Sequence, residues 1–197
     1  VFQARQAATT TSREGARMAA ALSKLGGDSA PASELDDYDR VVISRINKDD
    51  VKKLTGIATP VRVVIYSSCT VHRLNSITAV DTCGGIARTI SSPADVTSKC
   101  TGTPTGCMIF PWNPATKVFD SPASATNDWQ PLNQSACYDP LPHDNVTLPD
   151  QVGVYVEVKL NSITGLLSPI INNKIFGIGT VAQLEPKRPT KCLPGES

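Results

Sequence analysis

The sequence predicts an α+β chain: a long N-terminal helix packed on a small antiparallel sheet, with a large disulfide-tied loop insertion. Three observations lead there. Residues 1–25 carry small and apolar side chains at helical spacing. Residues 61–67, 152–160 and 175–184 show the β-branched content and alternation of strands. Between the first and second of these strands, residues 69–151 lose periodicity and hold five of the six cysteines. At 197 residues the chain is read as one domain.

The first helix has no Pro, and Gly15 is its only Gly before Gly26-Gly27 end it. Ala4, Ala8, Thr11, Gly15, Met18, Leu22 and Leu25 recur at spacings of four and three, a stripe along one face. The stripe is graded. Its first half is small, which lets another helix approach closely, and its second half is large, which fills a core. An ordinary amphipathic helix with a thin Ala face would carry the same pattern. Residues 28–32 read as a linker, and Ser33 with acids behind it suits a helix start. Leu35, Tyr38, Val42 and Ile46 then predict a second helix, extending toward Val51 and Leu54. The Val41-Val42-Ile43 run also fits a strand.

Residues 61–67 (Val-Arg-Val-Val-Ile-Tyr-Ser) read as a strand that ends just before Cys69. Residues 152–160 (Val-Gly-Val-Tyr-Val-Glu-Val-Lys-Leu) form the strongest strand pattern. Val154, Val156 and Val158 face one way there, and Tyr155, Glu157 and Lys159 the other. Residues 162–172 predict a short amphipathic helix interrupted by Pro169. Residues 175–184 close the pattern as a strand, with Gly177 and Gly179 weakening it or marking a bulge. The three strands are expected to form an antiparallel sheet on the first helix. A proline-bearing tail follows.

Nineteen basic and eighteen acidic residues leave a formal charge of +1, with the bases scattered. Bulk charge therefore gives no reason to expect nucleic acid or an anionic membrane surface as a partner. Six cysteines without a Cys-x-x-Cys pair favour disulfides over a zinc site, and disulfides imply an oxidising compartment. Cys100 with Cys107 would close a small loop. Cys69 with Cys83, and Cys137 with Cys192, would tie the insertion internally and to the tail. No run long enough to cross a membrane occurs. The chain begins mid-pattern at Val1, as if within a longer helix.

Residues 13–17, Arg-Glu-Gly-Ala-Arg in an Ala-rich helix, resemble the segment that follows the membrane helix in TadE/TadG-like proteins of the bacterial tight-adherence (Tad) pilus. The closing pattern resembles that family too: the 152–160 strand, the Leu/Ile/Pro-containing helix, and a strand ending in Leu184-Glu185-Pro186. The likeness covers about the first 25 residues and the last 45. It implies a pilin-like, extracytoplasmic α+β domain behind one upstream membrane helix. It implies a role as a minor pilin, pseudopilin or assembly subunit, with other pilus subunits as partners and no cofactor. The helix stripe would pack on a partner helix through Ala4, Ala8, Thr11 and Gly15, with Met18, Leu22 and Leu25 under the sheet. The alternative is a secreted, disulfide-stabilised adhesin or ligand-binding module whose middle region is the site.

Chemistry finds little support in the residues. No metalloprotease, P-loop, nucleophile-elbow or dinucleotide pattern occurs. His72 and His143 lack the flanking signature of a hydrolytic triad. Asp36, Asp37 and Asp39 suit a helix N-terminus. Asp139, Asp144, Asn145 and Asp150 lack the spacing of a calcium loop. No catalytic residue or metal ligand is therefore expected. Trp112 and Trp129, each beside prolines, are either local packing anchors or exposed contact residues. The contact role requires at least one indole largely exposed.

Overall fold

The computed structural model describes residues 2–22, 38–55, 58–68, 72–74, 78–80, 89–100, 107–120, 151–160 and 174–183. The elements in chain order are helix α1 (Phe2–Leu22), helices α2 (Tyr38–Asp49) and α3 (Val51–Thr55), and strand β1 (Ala58–Ser68). A short hairpin, β2 (His72–Leu74) and β3 (Thr78–Val80), comes next, then helix α4 (Pro93–Lys99). Strands β4 (Cys107–Asn113), β5 (Val118–Phe119), β6 (Gln151–Leu160) and β7 (Ile175–Gln183) complete the set. The main sheet has five strands in the order β5-β4-β1-β6-β7, each antiparallel to its neighbours.

The three strands expected from alternation are central to this sheet. β6 is paired along its length with β1 on one side and β7 on the other. Pro60 cannot donate to a ladder. It sits where β1 is paired with β6 alone, at a register shift between Pro60 and Arg62, and pairing with β4 begins only at Arg62.

Residues 69–151 are more than a loop. β4 and β5 come from this segment, and β4 lies directly against β1 (Val63↔Phe110, Ile65↔Met108). The pattern hid β4 because Pro111 interrupts it and Thr, Pro and Gly surround it. A proline is tolerated there because this end of β4 lies near the margin of the sheet. α4, which the periodicity does not predict, carries a start signal in its own residues: Ser92 and Asp95 form a reciprocal capping box around Pro93 in the first turn. The predicted 162–172 helix, the linker and Ser33 cap, and the tail lie outside the described residues.

Both faces of the sheet are covered. On one face Val63, Ile65, Met108, Phe110, Val154, Val156 and Val158 meet α1, α2 and α3. On the other, Val64, Tyr66, Cys107 and Tyr155 cluster with Ile90 and Val96 of the α4 segment. Tyr155 and Glu157, on the side of β6 opposite the valines, are therefore buried as well. Strands buried on both faces lose the hydrophobic-in, polar-out contrast that marks an inner side.

Gly153 and Gly177 make the second face work. A Cβ on Gly153 would lie 2.0 Å from Cζ of Tyr66, its cross-strand partner, and one on Gly177 would lie 2.0 Å from Cζ of Tyr155. Each tyrosine ring lies flat over the strand beside it because that strand has no side chain in the way.

Candidate interaction surface

The helix stripe comes first. Ala4, Ala8 and Thr11 are buried, Gly15 is buried, and Met18 is half-buried against the core. Their neighbour is this chain's own sheet. The Ser12 hydroxyl donates to the Val154 carbonyl at 2.8 Å and shares a second 2.8 Å bond with the Thr180 hydroxyl. Ser12 has one proton, so Thr180 is the donor in that second bond. A Cβ on Gly15 would meet Val154 Cγ1 at 3.1 Å and Ile46 Cδ1 at 3.2 Å. The small half of the helix thus lies over β6 and β7, with α2 closing against it. The stripe expected to receive a partner helix is used within the domain. The buried face is also wider than the stripe, taking in Ser12, Ala16, Ala19 and Ala20. Leu25 and the Leu22 side chain lie outside the described residues.

The remaining sequence candidates divide as follows. Cys100 and Cys107 are joined by a disulfide, as the short spacing suggested. It links the end of α4 to the start of β4 and so fastens the α4 segment to the sheet. Cys69, Cys83, Cys137 and Cys192 lie outside the described residues. Trp112 is half-buried and packs edge-to-face on Phe119, ring centroids 5.2 Å apart. It is a local anchor of the β4–β5 hairpin. Trp129 lies outside the described residues, as do the calcium-loop candidates.

The charged groups beneath the α4 segment serve packing. Arg62 Nε donates to Glu157 Oε2 at 2.8 Å, and the two residues are direct cross-strand partners. Glu157 is only 2 % exposed, so its charge needs that partner. Burial pushes the Tyr155 hydroxyl well above its ordinary pKa, and the nearby Glu157 charge adds to this. Burial raises Tyr66 as well. Both phenols stay neutral, which suits a roofed interior. Among the described residues no group of three His, Cys, Asp or Glu comes together.

The two margins of the sheet differ. On the β5 side, the Asn47 side chain pairs with strand backbone: its Nδ2 donates to the Phe119 carbonyl at 3.1 Å, and the Phe119 N–H donates to its Oδ1 at 2.8 Å. The turn before β5 is held by Asn113, whose Oδ1 accepts from the Ala115 N–H and whose Nδ2 donates to Asp120 Oδ2. Lys117 takes a left-handed φ of 57° in that turn. At Phe119 that margin is capped by a side chain.

On the other side β7 is the outermost strand, and among the described residues nothing pairs with its outer edge. Its nine residues, Ile-Phe-Gly-Ile-Gly-Thr-Val-Ala-Gln, contain neither charge nor proline. Edge strands usually carry such features to block pairing with other chains. Among the described residues, two of the four exposed large hydrophobic side chains, Ile175 and Val181, are on β7. The other two are Val41 on α2 and Phe2, which is 79 % exposed at the start of α1. Phe2 lines a shallow groove on the outward face of α1 with Arg5, Gln6, Thr9, Thr10 and Arg13.

No family model, curated protein or solved structure matches this chain. No helix among the described residues is long and apolar enough to cross a membrane.

Proposed function

We propose that the chain is a non-catalytic subunit of a Tad-type pilus, a minor pilin, pseudopilin or assembly factor, held at the cell envelope by a membrane helix upstream of α1. One observation carries this reading. The two segments that resemble the TadE/TadG-like family, far apart in sequence, are packed on each other as α1 against β6 and β7 through Ser12 and Gly15. A resemblance confined to two ends would mean little if those ends belonged to separate parts of the fold. The Cys100–Cys107 disulfide supports an extracytoplasmic location. Because the small-residue stripe is occupied internally, other pilus subunits would meet the outward face of α1 and the β7 margin. No cofactor takes part in this reading.

Deleting the gene in its own bacterium tests the proposal. Surface pili counted by electron microscopy should be lost and should return on complementation, with the protein in the membrane fraction. Normal piliation, with the protein released into the medium, would overturn it in favour of a secreted adhesin.

A further inference from the structure

We propose that residues 89–100, with α4 at their centre, form a redox-controlled lid. The Cys100–Cys107 disulfide latches it over the second face of the sheet. Reduction by an external dithiol opens it and bares Tyr66 and Tyr155, while α1 and the sheet stay folded.

The lid is built as a unit of its own. Its polar groups are turned on one another. The Asp95 carboxylate accepts from the backbone and hydroxyl of both Ser91 and Ser92 at 2.9–3.0 Å. The Lys99 ammonium pairs with Asp95 at 2.9 Å and donates to the Thr89 carbonyl at 2.7 Å. Toward the sheet the lid turns apolar groups, Ile90 and Val96, onto Val64, Tyr66 and Tyr155. The Ile90 N–H reaches the Tyr66 hydroxyl at 3.4 Å, long for a hydrogen bond. The Ile90 carbonyl rests over Gly179, where a Cβ would come within 2.2 Å of it. These are light attachments, and α4 has seven residues, too few for a helix to persist alone in water. The disulfide adds the covalent tie, from the end of α4 to the first residue of β4.

The first face is held by other means. Ala4, Ala8, Thr11, Ser12, Ala16 and Ala19 of α1 are buried on it, and the Ser12 bonds to Val154 and Thr180 lie on that side of the sheet. None of these contacts involves the lid. A cover with its own internal bonding and few ties can open locally below the cost of global unfolding.

The chemistry is thiol–disulfide exchange. Cys100 is half-buried and Cys107 buried, so the incoming thiolate attacks the Cys100 sulfur. The Cys100–Cys107 bond breaks, and Cys107 leaves as a thiolate that takes a proton from water. The reagent's second thiol, deprotonated, then displaces Cys100, which is protonated in turn. Two electrons pass to the protein, and the dithiol leaves as a disulfide.

The inference is independent of what the chain helps to build. Its test compares the oxidised chain with the Cys100→Ser, Cys107→Ser double variant, which removes this bond and leaves the other cysteines alone. Hydrogen exchange in residues 89–100 should rise at least about tenfold in the variant, with α1 and β6 unchanged. Burial holds both phenols above their ordinary range in the closed form. Followed by phenolate absorbance, their ionisation should move down toward the ordinary value of about 10 once the lid opens. If circular dichroism shows that the variant does not fold, the wild-type chain is titrated with dithiothreitol and read the same way. Unchanged lid exchange and unchanged phenol ionisation overturn the proposal. Exchange that rises equally in α1 and β6 overturns it too, because the bond would then hold the whole fold and not a lid.

Discussion

Single residues in this protein matter most where they are small. Gly153 is the sharpest case, because the Tyr66 ring occupies the space where its Cβ would stand. Gly153→Ala should destabilise by about 1–3 kcal/mol through overpacking. Combining it with Tyr66→Leu should cost less than the sum of the two single changes, which a double-mutant cycle by urea unfolding measures. Asp95 matters for charge. The Lys99 ammonium, then the Ser91 backbone and hydroxyl and the Ser92 hydroxyl, bond its carboxylate and hold its pKa far below the usual range. A lowered folded-state pKa contributes stability above the unfolded value of about 4, and that contribution fades as pH falls below it. Asp95→Asn should therefore cost about 1 kcal/mol at neutral pH and less at pH 3. Thermal unfolding at both pH values checks the sign.

At the scale of elements, α1 and β6 fit because each gives the other what it lacks. The helix presents Ala, Ser, Thr and Gly, which allow a close approach, and the sheet answers with a row of valines. Across β1 and β6 the Arg62–Glu157 pair is a charged tie in a largely apolar ladder. Removing one partner leaves a buried charge alone. Arg62→Met should cost about 2–4 kcal/mol, somewhat below a fully buried pair because the arginine is a quarter exposed. Arg62→Met with Glu157→Met should recover most of that loss. Chemical denaturation of both proteins decides between a stabilising pair and one that only avoids an orphan charge. The helix α1 and strands β1, β6 and β7 were legible because their periodicities persist over many residues. β4 was not, since Pro111 breaks its pattern and its partner β1 lies some forty residues earlier.

For the molecule as a whole, one disulfide joins the segment that roofs the second face to the sheet beneath it. Closing the Cys100–Cys107 loop, with a sequence separation of 7, should contribute about 2–3 kcal/mol through the entropy of the unfolded chain. Replacing both cysteines by Ser should lower the melting temperature by roughly 5–10 °C. It should also raise hydrogen exchange in α4 more than in α1, because α1 is fastened to the sheet without it.

The sequence by itself determined the α+β class, the N-terminal helix, its buried face from Ala4 to Gly15, and three strands of the sheet. These follow from short-range repetition, 3.6 residues per turn or two per pleat, which any single segment displays. It also pointed to the Cys100–Cys107 pair, because seven residues of separation leave few other partners within easy reach. Only the tertiary structure decided what covers the helix stripe, since periodicity marks a face as buried without saying against what. The same holds for the two edges of the sheet. Asn47 and Phe119 are far apart in the chain, and nothing local shows that one strand edge ends under an amide while, among the described residues, β7 is paired on one side only. Which surface remains for other molecules is a property of the assembled sheet, fixed by contacts that no window of the sequence contains.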